Sequence, residues 1–188
     1  MKRLFICLML FLMAVFSVVQ SPSVWADFDE KPVAFVVMDK SGGLVDNSAY
    51  TAWRQVVKWA YHFPYYKVSE DGTVQDYISN ALWNIKITKE NLSEQAKKNS
   101  MDVIVIVVLY DMDETILSSV GGFNTGPYVN VVAIADLYAY KKDGDKFLKS
   151  KVRERAIKDL GNYEKPQETI RWALSKLVNT IEGRPIID

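Results

Sequence analysis

Apolar and polar positions divide the chain into segments with different periods. The run KPVAFVVMD (31–39) is β-branched and almost wholly apolar, with Pro32 at its start, the pattern of a strand buried on both faces. Ser41, Gly42 and Gly43 then supply a loop. Over 48–62 the period becomes helical. Tyr50, Trp53, Val56, Val57 and Ala60 share one face, and Thr51, Arg54, Gln55, Lys58 and His62 share the other. The single histidine therefore falls on the wet side, and Phe63-Pro64 ends the helix.

YYKVSED (65–71) reads as a short strand before Asp71-Gly72. A helix is expected over 74–85, with Val74, Tyr77, Ile78, Ala81 and Ile85 on one side. Another is expected over 89–98, with Thr88 as N-cap and Asn99 in the left-handed closing position. The aliphatic run VIVIVVL from Val103 then makes a buried strand that ends in Asp111, Asp113 and Glu114. Beyond the glycine-rich GGFNTGP (121–127), strands at 128–140 and 145–157 flank Asp143-Gly144, a strong hairpin signal. A last helix has Pro166 in its first turn, Glu168 close behind and Gly183 just past its end, with Ile170, Ala173, Leu174, Leu177, Val178 and Ile181 as its apolar stripe. The order β-α-β-α-α-β-β-β-α predicts a single α/β (α+β) domain: a mixed sheet of about five strands with amphipathic helices packed on it.

The hairpin also has a register. A two-residue turn at Asp143-Gly144 pairs Tyr140 with Phe147, Tyr138 with Lys149, Asp136 with Lys151, Ile134 with Arg153 and Val132 with Arg155. The opposite face then pairs Ala139 with Leu148, Ala135 with Val152 and Val131 with Ala156. One face is small and aliphatic, fit for a helix. The other sets tyrosines and aliphatics against a row of four basic side chains, and a slip of one residue would drive that row into the core. The row reads either as an edge strand guarded by charge or as a binding face of Tyr138, Lys149, Lys151 and Arg153. On the last helix Trp172 lies about opposite the apolar stripe, so it is expected to be at least partly exposed and is a candidate interface anchor.

The first residues change the picture of where the domain begins. Lys2 and Arg3 precede a long apolar run, and Val24-Trp25-Ala26 follows Pro22, the pattern of a secretory signal peptide cleaved after Ala26, with a retained anchor as the alternative. On this reading residues 1–26 are leader and 27–188 the domain. Cys7, the one cysteine, leaves with the leader, so neither disulfides nor thiol chemistry are expected in the exported protein. The chain carries 23 Lys and Arg against 23 Asp and Glu. That balance argues against nucleic acid as the main partner, and no membrane span is expected after cleavage.

DMDET (111–115) resembles the first motif of phosphatases of the haloacid-dehalogenase superfamily. That resemblance implies Asp111 as nucleophile, Asp113 as proton donor, and Mg²⁺ bridging nucleophile and phosphate. Its surroundings argue otherwise. The superfamily places the motif on its first strand, with several strand-helix units after it, whereas here a hairpin and one helix follow. Thr125 and Lys151 could be pressed into the missing roles, but KDGDK is better explained as a turn. Asp111, Asp113 and Glu114 as a calcium site would need oxygens from further segments, because acids along one extended segment point to alternating sides. With one histidine on a solvent face, the usual catalytic triads and zinc sites lack parts. The expectation is a protein without catalytic activity, cofactor or metal, with the phosphatase as the alternative.

Taken together, the opening VAFVVMD strand with its glycine loop and long helix, the YYKVSE strand, MDVIVIVVL after NLSEQAKKNS, the VVAIADLYAYKKDGDKF hairpin and the closing amphipathic helix resemble the small α/β domain at the amino terminus of TolB and in CsgG-type envelope proteins. The resemblance rests on element order. It implies an exported, non-catalytic module that binds a protein partner of the cell envelope.

Overall fold

The computed structural model describes residues 29–117 and 127–185. The expected leader with Cys7 and the Ala26 cleavage point lies outside them, as does most of the glycine-rich loop with Thr125. The elements follow the expected order: β1 (Lys31–Asp39), α1 (Asn47–Ala60), β2 (Tyr66–Val68), α2 (Gly72–Leu82), α3 (Lys89–Lys98), β3 (Val103–Leu117), β4 (Tyr128–Lys141), β5 (Lys146–Asp159) and α4 (Pro166–Glu182). The strands form one sheet in the order β2-β1-β3-β4-β5. β1 is parallel to both β2 and β3, and β3-β4-β5 is antiparallel. The parallel half is covered on both sides, which is why β1 and the first half of β3 are continuously apolar.

Alternation sorts the core into two layers. Val33, Phe35, Val105, Val107, Ala135, Leu137 and Val152 meet Trp53 and Val57 of α1 and Ile170, Leu174 and Val178 of α4. On the other face Ala34, Val36, Ile104, Ile106 and Tyr140 meet Ile78 and Leu82 of α2 and Leu92 and Ala96 of α3. Local chemistry fixes the helix ends. Asp46 accepts from the Ala49 amide at 2.7 Å, Asp71 from Thr73 at 2.8 Å, and Thr88 and Asn91 form a reciprocal capping box. Pro166 opens α4, and Gly183 closes it at φ 70°, where a Cβ would be strained. Lys141 Nζ donates to Glu182 Oε2 at 2.6 Å, fastening the end of α4 to the end of β4.

Several local expectations are corrected. α2 ends at Leu82 and buries Ile78 and Leu82, while Tyr77, Ala81 and Ile85 are exposed. This short helix packs chiefly on β1, so its buried stripe is narrower than its apolar one. Asn99 keeps a negative φ of −101°, and Ser100 takes the left-handed position at φ 55°. The hairpin register is the expected one along its whole length, from Lys141↔Lys146 to Tyr128↔Asp159. Its turn is not the expected two-residue one. Lys142–Asp145 forms a tight helical turn with positive φ at Gly144 (73°) and Asp145 (48°), which closes the strands without shifting the pairing. β3 does not stop at its acids. After a bulge between Leu109 and Asp111 it stays paired with β4 to Leu117, so the second half of the antiparallel sheet continues as an arm.

Candidate functional site

The arm carries the residues singled out in the hairpin. Even-numbered β4 residues and odd-numbered β5 residues face the α2–α3 side of the sheet, and the helices there cover only the β1, β3 and β4 end of it. Asp136 lies in the uncovered part yet is only 6% exposed. Its register partner is Lys151, as expected, but the expected Asp136–Lys151 contact is absent. Lys151 points to water, and Asp136 instead pairs with the two flanking residues of β5. Lys149 Nζ lies 3.1 Å from Asp136 Oδ2, and Arg153 Nη2 donates to Oδ1. Diagonal neighbours reach better than the direct one because long side chains lean along the strand.

Further bonds fix the cluster. Tyr138 OH donates to Asp136 Oδ2 at 3.2 Å and accepts from Lys149 Nζ at 3.0 Å, while the Lys149 ammonium sits 4.8 Å from the Tyr138 ring centre. Arg153 Nη1 donates to the carbonyls of Ala135 (2.7 Å) and Val152 (2.6 Å), and its guanidinium lies 5.8 Å from the ring of Tyr110. Burial raises the Asp136 pKa, but the hydrogen bonds and charges of Arg153 and Lys149 outweigh it, and the carboxyl is held below its ordinary value. Lys149 is raised, by its bond to Tyr138 first and against burial, with Asp136 adding to the shift. At neutral pH the cluster is therefore one carboxylate under two cations.

Tyr110 was not foreseen as a site residue. It is the extra residue of the β3 bulge, and its ring is turned onto this face, 41% exposed. A bulge leaves no periodic signature within an aliphatic run, so nothing in the pattern of residues marked it. Further along the arm Arg155 Nη2 lies 3.3 Å from Asp111 Oδ2, and Thr115 Oγ1 donates to Asp113 Oδ2 at 2.7 Å. Asp111 and Asp113 thus sit inside a paired strand and share one face, with Glu114 on the other bonded by Tyr163. No group of three or more His, Cys, Asp or Glu among the described residues is placed to hold a metal ion.

Trp172 is 56% exposed on the outside of α4, with the Arg171 guanidinium 5.3 Å from its ring. It lies on the opposite side of the sheet from the Asp136 cluster, so the structure brings Tyr138, Lys149 and Arg153 together and leaves Trp172 apart. Trp59 (64% exposed) and Phe63 are further open aromatic rings on the α1 side that the sequence reading did not single out, although Trp59 falls off the buried stripe of its helix.

The arrangement defines an α/β sandwich with an antiparallel arm whose outer face is aromatic and basic. No protein-family model and no curated protein matches the chain. Solved structures are similar to it over most of its length. A PelC dodecamer from Paraburkholderia phytofirmans is 8% identical, with 82% of this chain and 90% of that one covered at a TM-score of 0.41. The lipoprotein GNA1162 from Neisseria meningitidis is 14% identical, with 81% and 99% covered at 0.38. The hypothetical protein CT253 from Chlamydia trachomatis is 10% identical, with 82% and 94% covered at 0.37. These are likenesses in the course of the chain. No helix among the described residues is long and apolar enough to cross a membrane.

Proposed function

We propose that this chain is an exported, non-catalytic module of the cell envelope that works by binding another protein, with the outer face of the β3–β5 arm as its contact. Export is the reading of residues 1–26, with Lys2 and Arg3 ahead of the apolar run. The observation that carries binding is the Asp136 cluster. A buried carboxylate fixes Lys149 and Arg153, and Arg153 in turn sits over the exposed ring of Tyr110. Tyr and Arg held in place before contact lose little conformational freedom on binding, and both are enriched where interface energy concentrates. Lys149, Lys151 and Arg153 are the polar part of this contact, whereas Tyr138, expected among them, is only 4% exposed and supports Lys149 from beneath. Trp172, across the sheet, is a second and separate one.

The test is affinity capture from a detergent extract of the source cell envelope, with wild-type, Tyr110→Ala and Trp172→Ala proteins as bait. A protein retained by wild type and lost by Tyr110→Ala supports the reading. Equal retention by all three removes the arm face as the contact, and a wild-type bait that retains nothing overturns the module itself. Glu at Lys149 and Arg153, the substitution the sequence invites, is unsuitable: it would set new carboxylates against buried Asp136 and unfold the face under test.

A further inference from the structure

The two edges of the sheet are treated differently. β2, at one edge, is three residues long. A short edge strand offers little for another chain to pair with. β5, at the other, runs for fourteen residues without a bulge or a proline, and among the described residues its one ladder neighbour is β4. Among the described residues, backbone hydrogen bonds outside the ladders resume at Asp145, just before the strand, and at Asp159, its last residue. Along Lys146–Lys158 the outward amides and carbonyls therefore have no backbone partner among the described residues.

The side chains beside that edge are selective. Lys149, Lys151, Arg153 and Arg155 occupy four successive same-face positions, all exposed. A second copy of β5 laid antiparallel against this one would set cations opposite cations in any register with substantial overlap, and like charges directly across a ladder are destabilising. The acids that balance this row, Asp136 and Asp111, lie inward on β4 and β3, on the far side from an incoming strand. Lys151 has no ion pair among the described residues, and Arg155 has one at 3.3 Å with most of its side chain in water.

From these features we propose that β5 is a docking edge for an extended acidic segment of another protein, which adds to the sheet as a sixth strand. Acidic side chains at alternate positions of that segment meet Lys151 and Arg155, and small or apolar ones between them lie along Ser150, Val152 and Ala156 on the α4 side. Backbone pairing supplies affinity and the basic row supplies selection, so the charges that bar self-pairing also admit the partner. This rests on the reading of the chain as a binding module and names the chemistry of its partner.

The experiment uses purified protein and a labelled ten-residue peptide of alternating Asp and Val, read by fluorescence anisotropy at low and physiological salt. Companion peptides are a block-sequence isomer of the same composition and two versions N-methylated on alternate amides, one on each set. The expected result is saturable binding of the alternating peptide, at least tenfold weaker for the block isomer, for Lys151→Glu/Arg155→Glu protein and for one N-methylated version but not the other. Equal binding of both N-methylated peptides reduces the effect to charge attraction and overturns strand addition. A wild-type protein that ignores every peptide yet captures an envelope protein through Tyr110 overturns the docking edge while leaving the module reading intact. Absence of both defeats the two together. Stronger binding to phosphatidylglycerol vesicles than to the peptide, lost in the same double variant, would assign the row to a lipid surface and overturn the proposal.

Discussion

Burial alone would favour a protonated Asp136, yet Lys149 and Arg153 reverse the balance and hold its pKa below the ordinary 3.8. A carboxyl whose pKa is lowered on folding contributes stability that is fully present above its unfolded value and is lost as pH falls through the folded one. Asp136→Asn keeps the shape and removes the charge, so it should cost about 1.5–3 kcal/mol at pH 7, the range for hydrogen bonds to charged groups. Urea unfolding at a series of pH values checks this. The gap between wild type and variant should stay level from neutral pH to about 5 and close below 3.8. A gap that does not change with pH would mean that the cluster is held by shape and not by charge.

Among the elements, α4 is the clearest case of a helix whose two faces carry different roles. Leu174 is wholly buried against β4 and α1, and Trp172, two residues earlier, stands in water. Leu174→Asp should lose more than about 4 kcal/mol, enough to unfold a domain of ordinary stability, because it buries an unpaired carboxylate. Trp172→Ala should stay within about 0.5 kcal/mol, as for surface positions in general. Thermal melts separate the two, and a large loss from Trp172→Ala would show that its ring is structural. The hairpin is equally legible at this scale. All fourteen β4–β5 pairs follow the register read from Asp143-Gly144, although the turn that makes them has a different shape. The facial pattern of the strands over-determines the register, and turn geometry has only to comply with it.

For the whole molecule, topology bears on whether DMDET can act as a phosphatase motif. β3 is the central strand, third in the chain, and after Asp111 come one hairpin and one helix, with Asp111 and Asp113 inside a ladder that continues to Leu117. We expect no Mg²⁺-dependent hydrolysis of p-nitrophenyl phosphate by the purified protein. Turnover that vanishes in Asp111→Asn, with the fold retained by circular dichroism, would establish the enzyme instead.

What the sequence determined by itself was most of what neighbours a few residues away decide, though not the closing residue of α3 or the shape of the hairpin turn. Period and capping placed the strands and helices, with Thr88 and Pro166 at the helix starts and Gly183 at the close of α4. Alternation placed the basic row and set its register. Only the tertiary structure decided what depends on distant segments meeting. It buried Asp136 under side chains from the next strand, and it turned Tyr110 outward through a bulge where two strands of unequal length had to stay in step. It also made β5 an edge by seating β3 between β1 and β4. Burial and edge status belong to the sheet as assembled, since no residue carries in its own neighbourhood a record of which strand will lie beside it.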